Sequence, residues 1–157
     1  MEPSLSGVLG LMQLTDSALP TGAFSHSLGF ETYMHAEQLE DRESFSAWLE
    51  MFVDQQLTHT DALAVRLVYA AEDFERVEDL DDLVTVQALP RQIREGGMTM
   101  GGRLLSIGAR SYPGEWVQRY EQGVVEERLH GHQATVWGVL ARELGVPEDT
   151  AVASHVY

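Results

Sequence analysis

Ser25, His26 and Ser27 stand between Asp16 and Glu31, the residue types of a nucleophile, a base and an orienting acid. Hydrolysis by such a set needs the nucleophile within hydrogen-bond reach of the base, an acid behind the base, and donors for the oxyanion. The sequence offers no strand-turn-helix elbow to hold either serine. The cluster therefore reads as a helix start that caps, packs or meets a partner, and no catalytic residue is assigned. His130 and His132 form a second set, since imidazole suits nickel and zinc. Their i, i+2 spacing chelates from an extended turn but splits the rings to different sides of a helix. His26, His35, His59 and His155 add no second pair at i, i+4. His130 and His132 are thus metal candidates by residue type alone, and the spacing favours isolated surface or capping histidines. Arg91, Arg94 and Arg103 form a third set. A guanidinium presented to a GTPase stabilises the charge that develops in phosphoryl transfer. Its commoner work on a helix is pairing with carboxylates, and Glu95 lies four residues from Arg91 for that purpose.

The elements that must position these residues are helices. Phe45, Trp48, Leu49, Phe52, Val53 and Leu57 recur at the helical period, as do Leu63, Leu67, Ala70, Ala71 and Phe74, and then Leu80, Leu83, Val84 and Ala88 up to Pro90. A first helix ends near Asp16, ahead of a Leu19-Pro20-Thr21-Gly22 turn in which Pro20 fixes its own φ and pushes Leu19 toward extended backbone. Thr21 is then the expected N-cap of a helix from about Gly22 to Ala36, with Phe24, Leu28, Glu31 and His35 on one face and His26, Phe30 and Tyr33 on another. The run from Arg91 to Arg110 is helical at both ends but holds Gly96, Gly97, Gly101 and Gly102. Four interior glycines cost about 3 to 4 kcal/mol relative to alanine, so either another helix packs closely on them or the helix breaks. Further helices are expected over Gly114 to Glu127 and Gln133 to Leu144, and a last one opens at Pro147. Trp48, Trp137 and Tyr33 read as core anchors. No alternating strand pattern, repeat or linker competes. The expected fold is all-α, one domain over 1–157, an orthogonal or bundle-like array of about seven or eight helices. The last helix meets no stop signal, which points to truncation at the C-terminal end.

Composition narrows the function classes. The 157 residues carry a formal charge of −15, no cysteine, and ten cationic side chains that are all arginine. Thiolate metal sites, thiol nucleophiles, a P-loop lysine, a Schiff-base lysine and a polybasic membrane patch are excluded. Phosphate-rich nucleic acid is repelled unless arginines are concentrated on one face, so no nucleic acid partner is expected. No apolar run approaches the ~18 to 20 residues of a membrane span. A cysteine-free chain fits a reducing compartment, so a cytoplasmic location is expected. Charge is uneven: Glu72 to Asp82 holds seven acids and one arginine, whereas Arg91 to Arg110 holds four arginines and one acid. The acidic run reads as a solvated helix end and loop.

The segment Leu14 through Glu31, with its Leu-Pro-Thr-Gly-Ala-Phe-Ser-His-Ser-Leu-Gly-Phe-Glu core, resembles the N-terminal signature of the UreF family of urease accessory proteins. Two later segments agree in order: Ala88 to Glu95 continuing to Gly101-Gly102-Arg103-Leu104-Leu105, and His130-Gly131-His132-Gln133-Ala134 followed by Gly138. The resemblance implies an all-helical, dimeric, non-catalytic protein without a cofactor. It would bind an accessory protein called UreD or UreH and with it recruit and regulate the UreG GTPase, so that nickel is loaded into apo-urease. Partner-binding residues would be Asp16, Pro20, Gly22, Ser25, His26, Ser27, Glu31, Tyr33, Arg91, Arg94, Glu95 and Arg103. The sequence departs from the family at Gly96-Gly97, where small Ala or Ser residues are common, and in stopping short of further helices and a tail. Two other readings stay open: a histidine-based nickel or other metal-binding helical protein, and a generic helical interaction module.

Overall fold

A computed structural model describes residues 4–22 and 29–156. They form the helices α1 (Leu5–Leu14), α2 (Phe30–His35), α3 (Arg42–Met51), α4 (Asp61–Ala70), α5 (Phe74–Gln87), α6 (Arg91–Ser111), α7 (Glu115–Val125), α8 (Gln133–Glu143) and α9 (Glu148–Val156), and α3 continues through a π-helical turn (Phe52–Gln56) and a 3-10 turn (Leu57–His59) toward α4. Eight of these run nine residues or more, and α2 adds a six-residue segment. The all-α expectation holds, and among the described residues there is no strand. No described helix is long and apolar enough to cross a membrane.

The fold is organised around α8. Every residue from Ala134 to Ala141 is buried, which marks a helix enclosed on all sides. Helices α4 and α6 make the most extensive contacts with it, and α5, α7 and α9 complete the enclosure. Val65 and Val68 of α4, Leu104 and Leu105 of α6, and Val136 and Leu140 of α8 share one core. Gly138 brings α4 close: a Cβ there would lie 3.0 Å from Val68 Cβ. Arg142 ties the α4 end to the same centre. It donates to Val68 O at 3.2 Å and Ala71 O at 3.0 Å while its guanidinium stacks 3.8 Å over the Trp116 ring, putting a cation at the negative end of α4.

The glycine question at α6 resolves in favour of packing. The helix is continuous for 21 residues, and its small positions are where other backbone arrives. A Cβ on Gly101 would collide with Gly131 O and lie 2.7 Å from Gln133 N, and one on Gly108 would collide with Leu140. Close approach of the 131–133 turn and α8 offsets the propensity cost of these glycines.

Three local readings are corrected. The helix expected from Gly22 does not start there: Gly22 has φ +86° and Gly29 has φ +93°, a left-handed backbone that glycine tolerates and a helix does not. Gly29, not Thr21, stands at the start of α2. Phe74 opens α5 behind the Asp73 N-cap, which accepts from Arg76 N at 3.0 Å, rather than closing α4. Tyr33 is no core anchor, with 39% of its surface exposed, whereas Trp137 is buried and Trp48 is half-buried.

Candidate functional site: a buried carboxylate hub, a cleft and an apolar face

Asp81 lies on the inward stripe of α5 with Phe74, Val77, Leu80 and Thr85 and is fully buried. Its Oδ1 accepts from Tyr120 OH at 2.5 Å, Thr135 Oγ1 at 2.9 Å and His132 N at 2.9 Å. Its Oδ2 accepts from His130 N at 2.6 Å and Gly131 N at 3.2 Å. Five donors replace the water that a carboxylate loses on burial. Burial and the Asp81 charge push the Tyr120 phenol well above its ordinary range, so it stays protonated and donates. The turn His130-Gly131-His132 is therefore shaped by a carboxylate that receives its backbone.

The two histidine rings of that turn diverge. His130 Nε2 lies 3.0 Å from Asp82 Oδ1 at the surface, whereas His132 Nδ1 accepts from Ala134 N at 3.3 Å and caps α8. The capping reading fits His132. Among the described residues no group of three or more His, Asp or Glu could hold a metal ion, because the turn spends its backbone on Asp81 and aims the rings apart.

A cleft of about 650 Å³ lies between the 15–22 turn and helices α4, α6, α8 and α9, with Leu14, Leu19, Phe52, Met100, Leu104 and Trp137 among its apolar walls. Its polar floor is Asp61, whose Oδ2 receives Gln133 Nε2 at 3.3 Å and lies 3.3 Å from His155 Nε2. The His155 ring stacks on Trp137, centroids 6.3 Å apart. Burial pushes the Asp61 carboxyl up, yet the His155 hydrogen bond and charge, helped by His132 and Gln133, hold it below its ordinary value. Burial holds His132 below the ordinary histidine range against the pull of Asp61 and Asp81.

The expected site residues fall into three places. Asp16, Pro20 and Gly22 line the cleft; Asp16 Oδ1 accepts from Ala18 N at 2.8 Å, and Arg103 Nη1 reaches Thr21 O at 3.3 Å from α6. Glu31 and Tyr33 are exposed on α2. Arg91 pairs with Glu95 at 2.7 Å, as the spacing implies, and Arg94 Nη1 donates to Ala88 O at 2.8 Å, fixing the turn between α5 and α6. Ser25, His26 and Ser27 lie outside the described residues. Sequence reasoning missed Asp81, Asp61, Gln133 and His155. For Asp81 a signal existed: it falls seven residues after Phe74 on the apolar stripe.

Apolar side chains left at the surface gather on the first three helices: Leu5, Leu9 and Met12 on α1, Tyr33 and Met34 on α2, Phe45 and Leu49 on α3. The small inner face of α1 packs on the end of α8, where a Cβ on Gly7 would lie 2.7 Å from Leu144 O; Leu5, Leu9 and Met12 stay exposed while Leu14 is buried. Phe30, Tyr33 and Phe45 join Trp48 and Phe52 in an aromatic cluster with ring centroids 5.2 to 6.1 Å apart. Trp48 Nε1 is buried there and has no hydrogen-bond partner among the described residues.

The fold and these sites define an all-helical protein whose organised polar groups hold helices and turns in place, and which leaves apolar side chains exposed on several of its helices. The UreF family model matches residues 39–157. Over 157 residues the chain is 90% identical to a urease accessory protein UreF of Kocuria rhizophila, covering 100% of this chain and 67% of that protein. It is 51% identical to the protein of the same description from Corynebacterium efficiens, over 98% of this chain and 67% of the relative. The corresponding protein of Paenarthrobacter aurescens is 46% identical over 95% of this chain and 66% of its own length. The chain belongs to the UreF family of urease accessory proteins, which are non-catalytic, and it spans about two thirds of the length of these relatives.

Proposed function

We propose that the chain is the scaffold of a urease maturation complex, folded as one domain over 1–157, dimeric and cytoplasmic. With a UreD/UreH-type partner it recruits the UreG GTPase and regulates it, so that nickel enters apo-urease. The observation that carries this reading is the set of exposed apolar and aromatic side chains on α1, α2 and α3. Interfaces centre on aromatic and aliphatic side chains that exclude water, framed by a polar rim. Leu5, Leu9 and Met12 supply such a centre, and Glu31 and Tyr33 stand on the neighbouring α2. In this reading Asp16, Pro20, Gly22, Ser25, His26, Ser27, Glu31 and Tyr33 serve partner binding from the N-terminal part, and Arg91, Arg94, Glu95 and Arg103 serve it from α6. Family membership supports the urease assignment, and a cysteine-free composition supports a reducing compartment.

A pull-down tests the proposal. The chain is expected to retain a UreD-type partner and then recruit the GTPase, while Leu9→Asp loses retention with an unchanged circular dichroism spectrum. Failure of the unaltered chain to retain that partner, or full retention by Leu9→Asp, overturns the reading.

A further inference from the structure

The acidic run from Glu72 to Asp82 leads into α5 and occupies its first half, and the two faces of that helix do different work. Its inner face is anchored by Asp81 and its five donors. Its outer face ends in an apolar patch that nothing described covers: Leu83 is 46% exposed, Val86 54%, and Leu89 of the following turn 83%. Leu83 and Val86 sit at i and i+3 on one side of the helix end, and Leu89 follows in the turn just beyond Gln87. The turn carrying Leu89 is held, because Arg94 Nη1 donates to Ala88 O at 2.8 Å and reaches Leu89 O at 3.4 Å. Three apolar groups are thus presented on a rigid element, where burial by a partner would remove apolar surface from water without a large ordering cost.

Charge next to the patch selects the partner. Toward the start of α5 the same side shows Glu75, Asp79 and Asp82. Asp82 lies 3.0 Å from His130, and Asp79 has only a 3.7 Å contact with Arg76, whereas no ion pair engages Glu75 among the described residues. Glu78, on the adjoining side, is taken by Arg128 at 2.8 Å. A second copy brings another −15 chain against this side, and an anionic lipid surface is repelled likewise. We infer that the outer face of α5 docks a basic amphipathic helix of a partner protein. Its apolar residues would cover Leu83, Val86 and Leu89, and its Lys or Arg residues would run toward Asp79 and Glu75. Apolar burial supplies the affinity, and the exposed ion pairs supply orientation and association rate. The inference rests on the reading of the chain as a partner-binding scaffold and assigns a second interface apart from α1 to α3.

The test is an NMR titration of the isotope-labelled chain with a synthetic amphipathic helix of ~18 residues built from Leu and Lys in the helical period, with a scrambled peptide of equal composition as control. Shift changes are expected on the outer face of α5 and at Leu89, together with binding about tenfold weaker for Val86→Asp and Leu89→Asp. Both side chains are exposed, so unchanged melting curves are expected for the variants. An association driven by charge alone would strengthen instead, since each substitution adds a negative charge. That strengthening, equal binding of the scrambled peptide, or shifts confined to other surfaces overturns the inference. So does a change of sedimentation coefficient in Val86→Asp alone, which would identify a second copy as the occupant. Loss of the UreD-type partner in the pull-down, by contrast, would sink the scaffold reading and leave the peptide result standing.

Discussion

Replacing Asp81 with alanine would expose how much of this fold hangs on one buried carboxylate. The substitution strands five donors: the Tyr120 and Thr135 hydroxyls and the backbone N–H groups of His130, Gly131 and His132. Each buried donor left unpaired costs about 1 to 3 kcal/mol. Simple addition overshoots, because Thr135 can turn its hydroxyl to His132 O at 2.9 Å and the 130–132 turn can shift toward water. Asp81 itself no longer has to be desolvated, which returns part of the loss. A net destabilisation of about 3 to 5 kcal/mol remains, a large fraction of the 5 to 15 kcal/mol typical of a domain. Urea unfolding followed by circular dichroism measures it directly. Asp81→Asn is expected to lose about 2 to 3 kcal/mol, since its amide keeps one acceptor oxygen but points N–H groups at other donors. Tyr120→Phe is expected to lose about 1 to 2 kcal/mol, and the double variant with Asp81→Ala less than the sum, because both remove the same contact. A loss below about 1 kcal/mol for Asp81→Ala, or strict additivity with Tyr120→Phe, would refute the hub.

Two neighbouring glycines of α6 should respond in opposite directions. Gly102→Ala faces open space and is expected to stabilise by about 1 kcal/mol, whereas Gly101→Ala drives a methyl into the backbone of the 131–133 turn and is expected to cost several kcal/mol; thermal melts compare them. Acidification is expected to destabilise the chain in two stages. Folding holds His132 below its ordinary 6.5, so its contribution is complete above that value and is lost as pH falls through it toward the folded value. Folding also holds Asp61 below its ordinary 3.8, so its contribution is present above 3.8 and is lost on further acidification. Urea midpoints taken between about pH 7 and pH 3 follow both stages, and His132→Asn should flatten the first and weaken but not abolish the second, which the His155 contact mainly sustains.

Much of the fold was legible because its signals are local. Pro90 before Arg91 and the period of Ala134, Trp137 and Leu140 each mark an element without reference to the rest of the chain. The continuity of α6 was not legible, since what makes glycine suitable at position 101 is a turn thirty residues further on. Gly29 hid a helix boundary for the opposite reason: the period of Phe24 to His35 runs smoothly over it, and only a left-handed φ reveals the break. Asp81 was counted with its acidic neighbours when its place on the apolar stripe was the better guide. Asp61 and His155 lie 94 residues apart, a pairing that no short spacing announces. Of the candidate site, the Arg91–Glu95 pair followed from position alone, whereas which histidine caps a helix did not.

The enclosure of α8 has a consequence for the order in which the protein can be built. Helices α4 and α6 are synthesised well before the helix they surround, and about thirty residues separate the end of α6 from the end of α8. At typical ribosomal speeds that is roughly 2 to 6 s, during which Val65, Val68, Leu104 and Leu105 have no seat to fill. The last contacts to form are those of highest sequence separation, which slows folding. During synthesis, then, the vulnerable species is a nascent chain with its outer wall made and its central post missing.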